Sequence, residues 1–305
     1  MNITKGFYDI QVNGYAGIDF NQNNLRAEDF HFACKRIKED GVEGILATLI
    51  TADFKDMKKR LANIARYQKE DPLIQDIVRG IHIEGPFIND TPGYHGAHPK
   101  QYISDANQDQ MLELLEVANG LTKIVTLAPE KDQGMRTTRM LADMGITVSA
   151  GHCNPSLQQL KDAVDAGLSM FTHFGNGIPN ILLRHDNILQ KVLSLREHLW
   201  ICYIADGIHI PLYVLKNYLD LTGFERSIIT TDCMAGAAAP PGRYKISHIE
   251  LEVGEDGVVR EPGKENFAGS SASMKKCYDN LTLQMGINET DACKLTMVNP
   301  KNIMS

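Results

Sequence analysis

Short apolar runs alternate with longer amphipathic stretches along most of the chain. The eight apolar runs cover residues 7–12, 44–50, 78–84, 122–130, 146–152, 168–176, 199–207 and 226–232. They are near-continuous in apolar residues, which is typical of parallel strands that are buried on both faces. The stretches between the runs predict helices, as in residues 53–69, where Met57, Leu61 and Ile64 recur on one helical face. Further helices are predicted at 25–39, 109–118, 135–144, 187–198 and 212–221, and after Ser156.

Eight strands separated by helices predict an α/β fold, namely a closed TIM-like (β/α)8 barrel that spans residues 1–305 as one domain. An open doubly wound sheet is the alternative, but no GxGxxG motif follows any strand. After the eighth run, residues from about 240 to 266 alternate in polarity and are expected to turn at 255–257, which predicts a β-hairpin insertion. A helix over 270–285 and a short one over 289–297 would complete the barrel.

The composition is that of an ordinary globular protein. The 305 residues are 43% hydrophobic, and the net charge of −7 offers no basic surface for nucleic acid or for an anionic membrane. The N-terminus has no apolar signal core, and no run approaches the length of a membrane span, so no membrane association is expected. The six cysteines form no CxxC pair, which indicates reduced thiols and a cytoplasmic location.

Polar side chains end several of the predicted strands, and in such a barrel the chemistry lies at the carboxyl ends of the strands. Glu84, His152 and His173 end the third, fifth and sixth strands. A strand that is buried on both faces is a costly place for an ionised Glu unless a cation lies beside it. One carboxylate and two imidazoles suit a catalytic Zn²⁺ or Fe²⁺ with an open position for water. Asp232 ends the eighth strand and is the natural general base for that water.

Each of these residues also has an ordinary structural interpretation. Glu84 could cap the helix that follows it, and a single histidine at a strand end is more often structural than a ligand. Cys153 and Cys233 flank a candidate ligand and the candidate base, and both are expected to be buried wall residues. Two histidines, a glutamate and an aspartate on four strand ends of one barrel nevertheless favour a metal-dependent hydrolase over these separate explanations.

Seven groups of motifs follow one another over almost the whole chain. They are DIQVNGYAGIDFN (9–21), HIEGPFI (82–88) with GAHP (96–99), AGHCN (150–154), THFGNG (172–177), IADGIHI (204–210), TTDCMAG (230–236) and AGSSASM (268–274). With these motifs the sequence resembles the N-acetylglucosamine-6-phosphate deacetylases of the amidohydrolase superfamily. The resemblance implies hydrolysis of the acetamide of an N-acetyl amino-sugar 6-phosphate, with N-acetylglucosamine 6-phosphate as the first candidate, to acetate and the amino-sugar 6-phosphate.

The resemblance also implies residue roles. It implies one divalent metal ion per subunit, zinc before iron or another ion, held by Glu84, His152 and His173. Asp232 would be the catalytic acid and base, and His98 would help to polarise the acetyl carbonyl. The substrate-binding residues that it implies are Ala97, Asn176, Gly177, Arg184 and His209. Arg184 would reach the phosphate of the substrate in the neighbouring subunit, which implies a homodimer.

The sequence departs from the family pattern at several places. Gln11 and Asn13 stand where two-metal amidohydrolases carry His-x-His, and because carboxamides are poor ligands for zinc-like ions, no second metal ion is expected. The terminal segments that build a small β-sandwich in the family are expected to be missing or reduced. CNP (153–155) and FGNG (174–177) differ from the usual patterns and leave the substrate open. The hexosamine epimer is undecided, and the alternatives are another N-acyl sugar or small amide, or a catalytically silent barrel scaffold.

Overall fold

The barrel predicted from the sequence is confirmed by the computed structural model, which describes residues 6–263 and 268–304. Eight parallel strands follow one another around the sheet in chain order. They are β1 (Phe7–Val12), β2 (Val42–Ile50), β3 (Val78–Glu84), β4 (Thr122–Leu127), β5 (Thr147–Ala150), β6 (Leu168–Phe171), β7 (Trp200–Ile204) and β8 (Ser227–Thr230). The sheet nearly closes, because a parallel bridge joins Val12 at the end of β1 to Cys233 after β8.

Helices connect the strands, as the three- and four-residue spacing predicted. They are α1 (Ala27–Glu39), α2 (Phe54–Glu70), α3 (Pro72–Ile77), α4 (Gln108–Val117), α5 (Arg136–Asp143), α6 (Leu157–Asp165), α7 (Ile188–Ser194) and α8 (Leu212–Thr222). The sequence did not predict α3. Asp71 accepts hydrogen bonds from the backbone N–H groups of Leu73 and Ile74, and Pro72 occupies the first turn. These are ordinary helix-start signals, but six residues are too few for an apolar period to be visible.

The interior of the barrel becomes more polar from the amino ends of the strands toward their carboxyl ends. An apolar cluster fills the lower part and consists of Tyr8, Ile10, Leu46, Ile124, Met170, Cys202, Ile228 and Met304. Above it, His82 Nε2 lies 2.8 Å from Thr126 Oγ1, which in turn lies 2.7 Å from Thr172 Oγ1. Since side chains alternate along a strand, His82 and Glu84 share the inner face of β3. This polar layer therefore leads to the mouth of the barrel at Glu84.

Asp9 joins the two ends of the sheet where backbone pairing is sparse. Its carboxylate accepts hydrogen bonds from Thr230 Oγ1 at 2.6 Å, from Thr231 Oγ1 at 2.5 Å and from the Thr231 N–H at 3.2 Å. Burial raises the pKa of Asp9, and these hydrogen bonds oppose the increase. Asp9 therefore holds the end of β8 against β1, immediately before Asp232.

An antiparallel excursion follows β8 and contains β9 (Gly242–Ile246), β10 (Ile249–Val253) and β11 (Val259–Arg260). The turn predicted at 255–257 joins β10 to β11, but a further turn at Ser247 and His248 joins β9 to β10. We did not predict this turn, although two consecutive polar residues, Ser247 and His248, interrupt the apolar alternation there. The Ser247 N–H donates to Asp19 Oδ2 at 2.7 Å, so a contact with a distant loop fixes the turn. Residues 264–266 of the predicted insertion lie outside the described residues.

The C-terminal helices cover the lower end of the barrel. They are α9 (Met274–Asp279), α10 (Glu289–Cys293) and α11 (Asn299–Met304). A π-helical turn at Asn280–Gln284 extends α9, and another at Lys294–Val298 joins α10 to α11, so the last helical segment is longer than the predicted 289–297. Met304 packs in the apolar cluster inside the barrel. No helix within residues 6–263 or 268–304 has the length and apolar character needed to cross a bilayer.

Candidate metal centre and active site

Three side chains converge at the mouth of the barrel on one carboxylate oxygen. His173 Nε2 lies 3.0 Å and His152 Nε2 lies 3.3 Å from Glu84 Oε1, and the two Nε2 atoms are 3.1 Å apart. All three residues are buried. Glu84 is the last residue of β3, whereas the histidines follow β5 and β6 by two residues. The structure therefore brings together the three residues that the sequence predicted as metal ligands.

The backbone turns sharply where the histidines and the candidate base leave their strands. His152, His173 and Asp232 adopt left-handed φ angles of 50°, 33° and 48°. A non-glycine residue in this region costs about 1–3 kcal/mol, and such residues cluster at functional sites. The turns direct side chains from three different strands toward one point.

Hydrogen bonds to the outer ring nitrogens orient His152 and His98. The Tyr94 carbonyl oxygen lies 2.6 Å from His152 Nδ1, so Nδ1 carries the proton and the Nε2 lone pair faces Glu84. At His98 the Thr51 N–H donates to Nδ1 at 3.4 Å, and Thr51 Oγ1 lies 2.8 Å from the same atom. His98 Nδ1 is therefore an acceptor, and Nε2 carries the proton. His152 therefore presents an Nε2 lone pair that can bind a metal ion, whereas His98 presents an Nε2–H group that can donate a hydrogen bond.

The converging atoms fit a divalent metal ion. Ligands about 2.0–2.1 Å from a tetrahedral zinc ion lie about 3.3 Å from one another. The 3.0–3.3 Å separations among Glu84, His152 and His173 are close to that value. Glu84, His98 and His152 also offer ligand atoms within 4.8 Å of one another, but His98 Nε2 is 3.9 Å from Glu84 Oε2. Distance and tautomer therefore both favour His173 over His98 as the third ligand.

Burial and neighbouring charges shift the pKa values in the cluster. Burial alone would raise the pKa of Glu84, but its interactions with the imidazoles of His152 and His173 outweigh burial and hold the pKa well below its ordinary range. Burial, followed by the charge of Glu84, raises the pKa of Asp232 to about 7. Burial lowers the pKa of His98 to about 3. At neutral pH Glu84 is therefore ionised, His98 is uncharged, and Asp232 can exchange a proton.

Gln11 and Asn13 donate hydrogen bonds to the two carboxylates of the site. Gln11 Nε2 lies 3.2 Å from Glu84 Oε1, and Asn13 Nδ2 lies 2.8 Å from Asp232 Oδ1. Both amide groups therefore face the carboxylates of the site as neutral hydrogen-bond donors.

Three of the predicted substrate-binding residues lie close to this cluster. A Cβ built on Gly177 would be 2.8 Å from His152 Nδ1, so this glycine lies directly beside the ring. Asn176 Nδ2 is buried and has no hydrogen-bond partner among the described residues. His209 Nδ1 lies 2.7 Å from Asp206 Oδ2, and its charge lowers the pKa of Asp232.

The other two predicted substrate-binding residues are placed differently. Ala97 packs against the apolar cluster that includes Leu251 and Val253 of the excursion. Arg184 is exposed in the loop after β6, and in the part of the chain that the structure describes no hydrogen bond or ion pair joins it to the metal-ligand cluster.

Curated proteins similar to this chain are deacetylases of amino-sugar phosphates. The N-acetylglucosamine-6-phosphate deacetylase of Bacillus subtilis (strain 168) is 29% identical over 299 residues, which cover 97% of this chain and 74% of that protein. The N-acetylgalactosamine-6-phosphate deacetylase of Escherichia coli O157:H7 is 29% identical over 303 residues, covering 99% and 78%. No protein-family model matches the chain.

A solved structure that is similar to this chain is also a deacetylase of an amino-sugar phosphate. It is an aspartate-to-alanine mutant of N-acetyl-D-glucosamine-6-phosphate deacetylase from Mycobacterium smegmatis, in complex with N-acetyl-D-glucosamine-6-phosphate. It is 25% identical, has a TM-score of 0.89, and matches 99% of this chain and 77% of its own. The chain is therefore similar over nearly its whole length to N-acetylglucosamine-6-phosphate deacetylases. The resemblance inferred from the motifs is confirmed.

Sequence reasoning missed several residues that support this candidate site. Thr51 and Tyr94 orient His98 and His152, and His82 lies in the polar layer below. Strand periodicity could have revealed His82, because it lies two residues before Glu84 on the same face of β3. Tyr94 left no signal, since it acts through its backbone carbonyl.

Gly96→Ala should weaken metal binding in this candidate site. Gly96 has a φ of +52°, and a Cβ built there would lie 3.0 Å from His152 Cε1. A left-handed conformation costs an L-residue about 1–2 kcal/mol, and the added methyl group would also displace the ring from Glu84. We expect a weaker zinc affinity in competition with a chromophoric chelator.

Gly120→Ala is the matched control for that variant. Gly120 has a φ of +79°, but nothing lies within 4 Å of a Cβ built on it. The control should lose a similar free energy of unfolding and keep its zinc affinity. Equal zinc affinities in the two variants would show that the Gly96 contact does not position His152.

Proposed function

We propose that the protein hydrolyses the acetamide of an N-acetyl amino-sugar 6-phosphate, with N-acetylglucosamine 6-phosphate as the first candidate. The observation that carries the proposal is the convergence of Glu84, His152 and His173 within 3.0–3.3 Å, close enough to Asp232 for the Glu84 charge to raise its pKa. The named activities of the relatives over nearly the whole chain support the same reaction. A silent scaffold is not favoured, because it has no need of this arrangement.

Glu84, His152 and His173 would hold one divalent ion per subunit. Their donor set suits zinc first and iron second. When bound, the ion supplies Lewis acidity, which polarises a carbonyl group and makes water more acidic. Gln11 and Asn13 would take no part in binding, because their N–H groups are directed at Glu84 and Asp232.

Asp232 would act first as general base and then as general acid. In its ionised form it accepts a proton from the attacking water, and it then delivers that proton to the amine nitrogen, which cannot leave as an anion. Asn13 holds Oδ1 at 2.8 Å, which leaves Oδ2 to carry the proton. A pKa near 7 suits both steps at neutral pH.

His98 would donate a hydrogen bond to the acetyl oxygen. Thr51 occupies Nδ1 and leaves the proton on Nε2, which faces Glu84 from 3.9 Å. The ring is uncharged because burial lowers its pKa to about 3. A fixed, buried donor stabilises the negative charge that develops on a carbonyl oxygen during hydrolysis.

The sugar phosphate would lie on the loop after β6. Asn176 has a buried side-chain N–H₂ group without a partner among the described residues, and Gly177 lies next to it. Asp206 orients the ring of His209 toward the same mouth. Ala97 would contact the acetyl side of the substrate, beside His98.

A screen of acetate release tests the proposed function. The substrates are N-acetylglucosamine 6-phosphate, N-acetylgalactosamine 6-phosphate and the two unphosphorylated sugars, each with zinc-loaded and metal-free protein. We expect acetate only with metal and mainly from a phosphorylated sugar. The two epimers are included because relatives named for each are equally identical to the chain, at 29%. No bound metal and no acetate would instead support the scaffold.

A homodimer belongs to the same proposal. Ile181 and Leu183 have 90% and 72% of their surface exposed, and they lie in the loop that carries Arg184. Exposed apolar side chains that lie near one another can contribute to an interaction surface. A second subunit that covered them would bring Arg184 toward the phosphate in its partner.

One domain over residues 1–305 and a cytoplasmic location also belong to the proposal. The location is supported by the six cysteines, all of which are free thiols in the structure.

Arg184→Ala should reduce kcat/KM for the phosphorylated sugar. The guanidinium group suits bidentate binding of phosphate. Loss of a charged hydrogen bond costs about 1.5–3 kcal/mol, which corresponds to about 10–150-fold. Hydrolysis of the unphosphorylated sugar should hardly change. Steady-state kinetics on both substrates measures the difference.

Arg196→Ala is the control, because Arg196 is an exposed arginine after α7 that donates to its own helix at Leu193. It should leave both substrates unaffected. Equal losses on both substrates in Arg184→Ala would contradict the phosphate assignment. If Arg184 acts across the dimer, dilution to monomer should lower activity in parent protein.

A further inference from the structure

Glu130 connects three loops of the barrel mouth. It lies in the turn after β4, and its Oε1 accepts hydrogen bonds from the Asn154 N–H at 2.5 Å and from Asn89 Nδ2 at 2.8 Å. Asn154 belongs to the loop after β5, and Asn89 belongs to the loop after β3. One carboxylate oxygen therefore ties together the segments that follow β3, β4 and β5.

Both partners of Glu130 act on the segment around His152. The Asn89 N–H donates to the His152 carbonyl oxygen at 2.9 Å, and Asn154 lies two residues beyond His152. The loop that contains Asn89 also supplies the Tyr94 carbonyl, 2.6 Å from His152 Nδ1. His152 is thus held through its own carbonyl, through its ring and through the residue after next.

This segment needs support because of its backbone conformation. His152 has a φ of 50°, which carries a cost that the surrounding structure must overcome. Without contacts on both sides, the segment would relax toward an ordinary φ, and His152 Nε2 would leave its position 3.3 Å from Glu84 Oε1. The anchor shared by the two sides is the side chain of Glu130.

We propose that Glu130 is a positioning residue for His152 and that it sets the affinity of the metal site without contacting the metal or the substrate. The inference rests on the metal site of the proposed function. Groups that orient a ligand from behind change metal affinity by about 10–100-fold when they are removed.

The two oxygens of Glu130 have unequal roles. A substitution can therefore remove the charge of Glu130 and still keep the oxygen that accepts the hydrogen bonds. Oε1 accepts both hydrogen bonds, whereas Oε2 is buried and has no hydrogen-bond partner within residues 6–263 and 268–304. An amide retains an acceptor oxygen at the Oε1 position. Glu130→Gln should therefore keep the anchor, and Glu130→Ala should lose it.

Zinc affinity of the whole chain tests the inference, measured by titrating metal-free protein against a chromophoric chelator. Glu130→Ala should bind zinc about tenfold or more weakly, and Glu130→Gln should stay close to the parent. Asn89→Ala removes one of the two hydrogen bonds and should shift the affinity in the same direction, so the test survives if Glu130→Ala does not fold. The visible spectrum of Co²⁺-loaded protein should change in the alanine variants and not in Glu130→Gln.

Asp132 provides a matched control two residues from Glu130. It is buried, and its carboxylate accepts hydrogen bonds from two backbone N–H groups of α5. These are the N–H groups of Thr137, at 3.1 Å, and of Thr138, at 2.7 Å. Asp132→Ala should lower the free energy of unfolding of the metal-free protein and leave the zinc affinity and the Co²⁺ spectrum unchanged.

Two results would overturn the inference. One is parent-like zinc affinity in Glu130→Ala and Asn89→Ala, and the other is an equal loss in Asp132→Ala. A parent protein that binds no zinc would overturn the proposed function instead.

Discussion

We expect Asp232→Asn to keep its metal ion and its substrate while kcat falls by about 10²-fold or more, the usual share of general acid–base catalysis. Asparagine has the shape of aspartate but cannot accept the proton of the attacking water. Its side-chain oxygen can still accept the hydrogen bond from Asn13 Nδ2. In the parent protein this nitrogen lies 2.8 Å from Asp232 Oδ1. Geometry is therefore conserved and basicity is lost.

The pH profile separates this explanation from a structural defect. A general base acts when it is ionised, so kcat/KM should fall as the pH drops below the pKa of Asp232. Burial and then the charge of Glu84 raise that pKa to about 7. A cation held by Glu84 would oppose the second of these causes, so the acid limb should lie at or below that pH. The limb should disappear in Asp232→Asn.

Elemental analysis and kinetics together check the Asp232 prediction. Near-normal turnover in Asp232→Asn would refute the role of general base. Loss of the metal ion would instead make Asp232 a ligand. Gln11→Ala is a useful comparison, because it removes a neutral donor to Glu84 and leaves Asp232 and its hydrogen bond to Asn13 unchanged.

The barrel and the metal-ligand cluster were predictable because both follow from periodic patterns. Apolar runs separated by amphipathic helices specify a parallel barrel, and such a barrel places all its strand ends at one mouth. Once Glu84, His152 and His173 were assigned to strand ends, their convergence needed no further information. The structure adds the left-handed turns and the distances, which a pattern of residue types does not contain.

The remaining features depend on contacts between distant segments. The tautomer of His98 is set by Thr51, 47 residues away, and the anchor of His152 involves Glu130 and Asn89, which are 41 residues apart. Helical and strand periodicity relate only residues that are close in the sequence. The sequence therefore predicted neither the tautomer of His98 nor the anchor of His152. The proposed role of Arg184 depends on a second subunit, and the residue pattern of one chain does not contain the position of that subunit.

The largest expected effect is the loss of the metal ion in Glu84→Gln. Glu84 Oε1 is the atom on which both histidines converge, at 3.0 and 3.3 Å. A carboxamide has almost the same volume but is a poor ligand for zinc-like ions, by the same reasoning that excludes Gln11 and Asn13. Without Glu84 the site would keep only the two imidazoles. It would lack the negatively charged carboxylate that completes a catalytic zinc site of two histidines and one carboxylate.

Elemental analysis of dialysed protein should find one divalent ion per subunit in the parent and in Gln11→Ala, and almost none in Glu84→Gln. Acetate release by Glu84→Gln should fall to the level of metal-free parent protein. Gln11 Nε2 contacts the same oxygen, 3.2 Å from Glu84 Oε1, so the Gln11 variant controls for disturbance of the pocket without loss of a ligand. Two tightly bound ions per parent subunit would contradict the single-metal assignment. A full complement of metal in Glu84→Gln would contradict the ligand assignment and move the third ligand to His98, whose Nε2 is the next candidate at 3.9 Å.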